Sequence, residues 1–149
     1  MHNILYSNNS SYYSMIARLV LAEKAVAYEL HHIDIHIKME QFAPEFVSIQ
    51  PNMTVPVLVC DGVNIADSHQ ILLFVNKYFS GPDLCPAEDE AAILKSLDLH
   101  YAFSIEDLTM GKALRKSPIA GFALARGLKR ASRRCQELMR THPEFKSAC

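Results

Sequence analysis

No Cys-x-x-Cys pair and no metal-type spacing joins the four cysteines Cys60, Cys85, Cys135 and Cys149, so neither a zinc ribbon nor a redox dithiol is expected. All four read as reduced, mostly packed thiols. No apolar run approaches the roughly 20 residues that a membrane helix needs. The opening Met1-His2-Asn3-Ile4-Leu5 lacks the basic stretch, apolar stretch and small-residue cleavage site of a secretory leader. A cytoplasmic protein without membrane insertion is therefore expected. Internal repeats and low-complexity stretches are missing, and no proline occurs between Pro86 and Pro118. A large net charge is missing as well, the sum being −1. That balance hides an asymmetry, since residues 1–111 hold 5 Lys/Arg against 14 Asp/Glu and residues 112–149 hold 10 against 2.

A chain of 149 residues has room for one good core, or for one compact domain with a helical annex. Half of its residues are hydrophobic and 21% are charged, so it has enough apolar surface to fold. Asn3-Ile4-Leu5-Tyr6 is a short apolar run that ends in Ser7-Asn8-Asn9-Ser10-Ser11, residues that favour turns and N-caps. A strand followed by a loop is expected there. Ile16, Leu19 and Val20 then fall at i, i+3 and i+4, the spacing of a helix with one buried face, and Ser11 or Ser10 should cap it. The alternation from Tyr28 to Ile37 predicts a second strand running toward Lys38. Phe42 to Ile49 predicts a short helix ended by Gln50-Pro51-Asn52. The β-branched runs Val55–Val59 and Val63–Ile65 flank Asp61-Gly62, a hairpin signal, and should pair antiparallel. Ile71, Leu72, Val75, Tyr78 and Phe79 mark one more amphipathic helix after Asp67-Ser68, closed by Ser80-Gly81-Pro82.

This order of βαβ, α, ββ hairpin and α is that of the thioredoxin fold, so residues 1–80 are expected to form an α/β thioredoxin-like N-terminal domain. Residues 81–86 read as a linker by composition. Beyond them Leu94, Leu97, Tyr101, Ile105 and Leu108 recur at steps of three and four, as do Leu124, Leu128, Ala131, Cys135 and Leu138. Residues 87–149 should form a short all-α domain of two long antiparallel helices with facing seams, joined near Ser117-Pro118.

Four landmarks carry a resemblance to a known family. They are Leu5-Tyr6 with Ser11-Tyr12-Tyr13-Ser14 and Ala17-Arg18-Leu19; Gln41-Phe42-Ala43-Pro44-Glu45-Phe46; Pro51-Asn52-Met53-Thr54-Val55-Pro56-Val57-Leu58; and Asp61-Gly62 with Ile65-Ala66-Asp67-Ser68. In this order and spacing, residues 1–80 resemble the N-terminal domain of glutathione S-transferases of the serine-using, zeta- or theta-like kind. The resemblance implies glutathione as co-substrate, no metal, and conjugation of its thiolate to small apolar electrophiles. Detoxification and a homodimer are implied with it.

Glutathione's thiol has a pKa near that of free cysteine, roughly 8.5, so little of it is thiolate at neutral pH. A helix N-terminus and a hydroxyl donor placed there both favour the anion. Ser11 suits that role, and the resemblance implies that it is catalytic. Redox members of the fold carry Cys-x-x-Cys at this turn, where Ser11 and Ser14 stand here, so the site should activate a thiol rather than exchange one. Read without the family, Ser11 is equally well an N-cap. Ser10, Tyr13 and Tyr6 are the fallback hydroxyls. Val55-Pro56 is similar to the family's cis-proline step, which implies that the Val55 backbone pairs with the cysteinyl unit of glutathione. Asp67 and Ser68, at a helix N-terminus, fit the ammonium and carboxylate of the γ-glutamyl end; Gln41, with help from Lys38, matches the position that reaches the glycyl carboxylate.

His31, His32 and His36 do not make a metal site, because neighbours on a strand point to opposite faces and no further ligand is suitably spaced. The stripe Arg126, Lys129, Arg130, Arg133 and Arg134 lacks interleaved aromatics, so a solvated face is expected rather than nucleic-acid binding. Two departures from the family stand out. Met53 occupies a position where glycine is common, and residues 87–149 match only the first two helices of the family's helical domain. An apolar seam left uncovered favours self-association. Two rival readings keep the fold: a glutathione-dependent isomerase or dehalogenase, and a non-catalytic binding or dimerisation module.

Overall fold

The computed structural model of the chain describes residues 2–105 and 117–148. Strands β1 (Asn3–Ser7), β2 (Glu29–His32), β3 (Val57–Cys60) and β4 (Val63–Ala66) form one sheet in the order β2-β1-β3-β4. β1 and β2 are parallel, while β3 is antiparallel to both β1 and β4. Helices α1 (Tyr12–Glu23), α2 (Pro44–Ile49) and α3 (Ser68–Tyr78) complete this α/β unit. Helices α4 (Glu90–Ala102) and α5 (Pro118–Thr141) follow it. The result is a thioredoxin-like N-terminal domain followed by a helical one.

Side chains alternate across a strand, so the two central strands feed two cores. Leu5 and Leu58 lie opposite each other in register, and both are fully buried against Ala17, Val20 and Leu21 of α1 and Ile71 and Val75 of α3. Their neighbours Tyr6 and Val57 face the other way and meet Phe46 of α2 and Ile33. The hairpin signal is realised as expected: Asp61 (φ 47) and Gly62 (φ 85) both take positive φ, which matches the right-handed twist of β3 and β4.

Two elements are shorter than the sequence implies. The strand expected over Tyr28–Ile37 stops at His32, and its four residues are all exposed at the sheet edge. Ile33 still donates its N–H to Ser7 O (2.9 Å), but Asp34 then bends the chain by accepting the N–H groups of His36 (2.9 Å) and Ile37 (2.8 Å) on its carboxylate. A short polar side chain competing for backbone donors ends the ladder, and Ile37 is left 77% exposed. The helix expected over Phe42–Ile49 begins only at Pro44, after a 3-10 turn over Glu40–Phe42. Proline is suited to a first helical position and holds Ala43 before it extended (φ −72, ψ 136).

The linker is tied down. Buried Lys24 donates from Nζ to Pro82 O (2.8 Å), and Asn76 Oδ1 accepts from Leu84 N–H (2.9 Å). Gly81 sits at φ 117, a backbone conformation that L side chains rarely adopt, beside the Lys24 backbone. In the helical part, Leu94 and Leu128 of the two seams are exposed, and Leu138 is buried where α5 packs against the Glu40–Phe42 turn. Leu108 lies outside the described residues. Cys60 (buried) and Cys85 are free, but Cys135 is disulfide-bonded, contrary to the expectation of reduced thiols throughout. Disulfide pairing follows from which Cα atoms the fold brings together, which linear spacing does not report.

Candidate functional site

The loop from β1 into α1 is held by a polar network. Asn8 is buried; its Nδ2 donates to Ile33 O (2.7 Å), and its Oδ1 accepts from the backbone N–H (2.9 Å) and the hydroxyl (2.6 Å) of Ser10. Ser10 Oγ has spent its proton there, so His36 Nε2, at 2.6 Å, donates to it. Ser11 is the N-cap of α1: its Oγ accepts from Ser14 N–H at 3.2 Å. That contact uses an oxygen lone pair and leaves the Ser11 proton available to an acceptor beyond the helix tip. Ser14 is fully buried and accepts from Asn8 N–H (3.3 Å).

A cleft of about 580 Å³ opens beside this tip, within the size range of small-molecule sites. One wall is Thr54, Val55 and Pro56, and the Val55–Pro56 peptide bond is cis. The floor is the start of α3, where Asp67, Ser68 and His69 line the space. Asp67 caps α3 by accepting the His69 N–H on its carboxylate (2.8 Å), and it does so at φ 73 and ψ 134, a conformation uncommon for a non-glycine residue. α1 contributes Tyr13, and α4 contributes Tyr101.

The seam spacing of Tyr101 does not disclose its surroundings in this cleft. Its hydroxyl lies 2.9 Å from Ser68 Oγ, and its ring stacks on His69 (centroids 4.8 Å apart) and on Tyr13 (6.3 Å). Burial pushes its hydroxyl above the usual tyrosine pKa, against the opposite effect of the Ser68 hydrogen bond. Next to it His100 Nε2 sits 3.5 Å from Tyr12 OH, so α4 meets α1 through aromatic residues on both positions. The adjacent rings of His100 and Tyr101 just before the helix end at Ala102 are the signal in the sequence.

Five residues singled out from the sequence, Tyr13, Val55, Pro56, Asp67 and Ser68, thus meet in one cleft. Ser11, two residues before Tyr13, lies outside its lining. Gln41 donates from Nε2 to Ile35 O (3.3 Å), while its Oε1 is buried without a hydrogen-bond partner. Lys38 pairs with Glu40 (3.6 Å) and borders a different groove, against Arg134, Glu137 and Leu138 of α5. Tyr6 packs on His31 and Phe46. The three histidines have separate surroundings: His31 pairs with Glu29 (2.7 Å), His36 with Ser10, and His32 is exposed. Among the described residues no group of three or more potential metal ligands gathers, and no helix is long and apolar enough to cross a membrane.

Comparison with known proteins adds four matches. Residues 10–77 match the family model described as the glutathione S-transferase N-terminal domain. Among curated proteins, the maleylacetoacetate isomerase of Rattus norvegicus is 33% identical over 108 residues, 70% of this chain and 50% of that protein. The tetrachloro-p-hydroquinone reductive dehalogenase of Sphingobium chlorophenolicum is 32% identical over 90 residues, 60% of this chain and 36% of that protein. The solved structure of a glutathione transferase homolog from Drosophila mojavensis, with bound glutathione, superposes with a TM-score of 0.59 at 28% identity, covering 63% of this chain and 44% of that one. The chain spans between about a third and a half of the length of the curated relatives it matches.

Proposed function

We propose, from the match of residues 10–77 to the glutathione S-transferase N-terminal domain, that this chain is a member of that family, binds glutathione and transfers the glutathione thiolate to small apolar electrophiles. The meeting of Val55, Pro56, Asp67 and Ser68 in one cleft beside the α1 tip supports this reading most directly. In it, Asp67 takes the γ-glutamyl ammonium, and Ser68 with the first N–H groups of α3 takes the adjoining carboxylate. The backbone of Val55 pairs with the cysteinyl unit as a strand edge pairs with an extended peptide. The sulfur then lies toward the α1 N-terminus, where Ser11 donates to it and the helix end stabilises its negative charge. The thiol proton leaves to solvent, the sulfur lone pair forms the new C–S bond, and the leaving group takes the electrons of the bond that breaks. Gln41 and Lys38 serve the glycyl carboxylate, which requires Lys38 to leave Glu40.

The same proposal divides the chain into a glutathione-binding domain (1–80), a linker (81–86) and part of a helical domain (87–149), in a cytoplasmic homodimer. Titration calorimetry with glutathione, followed by a panel of electrophiles, tests it. Micromolar to millimolar binding with conjugate formation supports the transferase. A second reading, glutathione-dependent isomerisation or dehalogenation, is favoured by the isomerase and dehalogenase among the relatives and would show as product without a retained glutathionyl group. Binding with no turnover of any electrophile favours a binding or dimerisation module, for which exposed Leu94, Leu99 and Leu128 would be the contact residues.

A further inference from the structure

We infer that Tyr101 is a positioning residue for the carboxylate of the bound ligand, donating its hydroxyl proton to Ser68 Oγ so that the Ser68 proton is aimed into the cleft. The inference rests on the glutathione reading above and concerns the γ-glutamyl carboxylate in particular.

The geometry carries it. The two oxygens are 2.9 Å apart, and both residues border the same cleft. Either hydroxyl can donate in this pair; with Tyr101, the stronger acid, as the donor, Ser68 is the acceptor. Ser68 is only 2% exposed, so solvent does little to orient its hydroxyl. With one lone pair engaged by Tyr101, the Ser68 proton must find another acceptor, and a carboxylate in the cleft is one that also gains from the polarised Tyr-to-Ser chain. The Tyr101 ring has little freedom to leave, being stacked on His69 at 24° and on Tyr13 at 14° between ring planes. Burial holds its hydroxyl above the ordinary tyrosine value, which favours the protonated, donating form. A residue of α4 thereby prepares a group that belongs to α3, and the helical part of the chain contributes to glutathione affinity without touching the tripeptide's backbone.

Tyr101→Phe keeps the stacked ring and removes only the hydroxyl, so the fold should survive; its thermal melt checks this. Glutathione dissociation constants are then compared for the unaltered chain, Tyr101→Phe, Ser68→Ala and the double variant. Tyr101→Phe should weaken binding about three- to tenfold. In the Ser68→Ala background the same change should alter binding by less than about twofold, because its effect runs through Ser68. Cysteinylglycine, which lacks the γ-glutamyl unit, should bind the unaltered chain and Tyr101→Phe equally. Unchanged or tighter glutathione binding in Tyr101→Phe, or additive losses in the double variant, would overturn the positioning role and leave the glutathione reading intact. If the unaltered chain fails to bind millimolar glutathione, both fall together.

Discussion

Replacing Ser11 separates the two tasks its side chain can perform. The Oγ lone pair that accepts from Ser14 N–H caps α1, and the proton it keeps is the one that would hold a thiolate. Ser11→Ala removes both. Loss of an N-cap costs about 1 kcal/mol when alanine replaces it and only a few tenths when glycine does. For a chain of this size about 1 kcal/mol lowers the melting temperature by about 4 °C. The lost donor is a separate quantity: a hydrogen bond to a charged acceptor is worth about 1.5–3 kcal/mol, which is about one to two pKa units on the bound thiol. Since the hydroxyl favours the anion, its removal must raise that pKa. Ultraviolet absorbance of the bound thiolate, followed as pH is raised, reads the value directly. Ser11→Gly should melt close to the unaltered protein yet show the same raised thiol pKa as Ser11→Ala. If both variants bind glutathione with the thiol pKa of the unaltered protein, while Ser11→Ala alone melts lower, Ser11 is a cap and the thiolate is held by something else.

Other expectations follow from the fold. Leu58→Ala empties the centre of the larger core and should cost about 2–5 kcal/mol in urea unfolding, since Leu58 is fully buried opposite Leu5. Lys24→Ala breaks the bond from Nζ to Pro82 O that ties the linker down, and a loss of about 2 kcal/mol in the same assay is expected. Met53 has φ 54, a left-handed conformation in which glycine is not strained; Met53→Gly should leave stability unchanged or raise it by up to about 1 kcal/mol, and a clear loss would show that the Met53 side chain contributes more than its backbone costs. Asp34 is held below the ordinary aspartate value of 3.8 by the N–H groups of Ile37 and His36. The unfolded chain therefore takes up this proton first, so the contribution is present above that ordinary value and is lost as pH falls through the lowered one. Asp34→Asn should flatten the acid side of the stability profile, measured as melting temperature against pH.

Much of the site was legible because its parts are local. Ser11 before an apolar stripe, Asp61-Gly62 between two β-branched runs, and Asp67-Ser68 before another stripe each announce a cap or a turn within a few residues. Tyr28–Ile37 differs for the same reason: alternation favours a strand, but Asp34 engages the backbone two and three residues ahead, and the pairing with β1 ends at Ser7 opposite His32. Tyr101 escaped notice because a tyrosine at a seam position looks the same whether it meets a facing helix or a serine 33 residues away.

Periodicity, turn chemistry and capping residues, all properties of neighbouring residues, were enough to determine the order of elements, the two faces of the sheet and the placing of hydroxyls at helix starts. Which of those groups share a cleft was decided by tertiary structure alone. Asp67 and Ser68 meet Val55 and Tyr101 only because the sheet order and the packing of α4 against α1 and α3 bring distant segments within hydrogen-bonding range, and no spacing along the chain encodes such a distance.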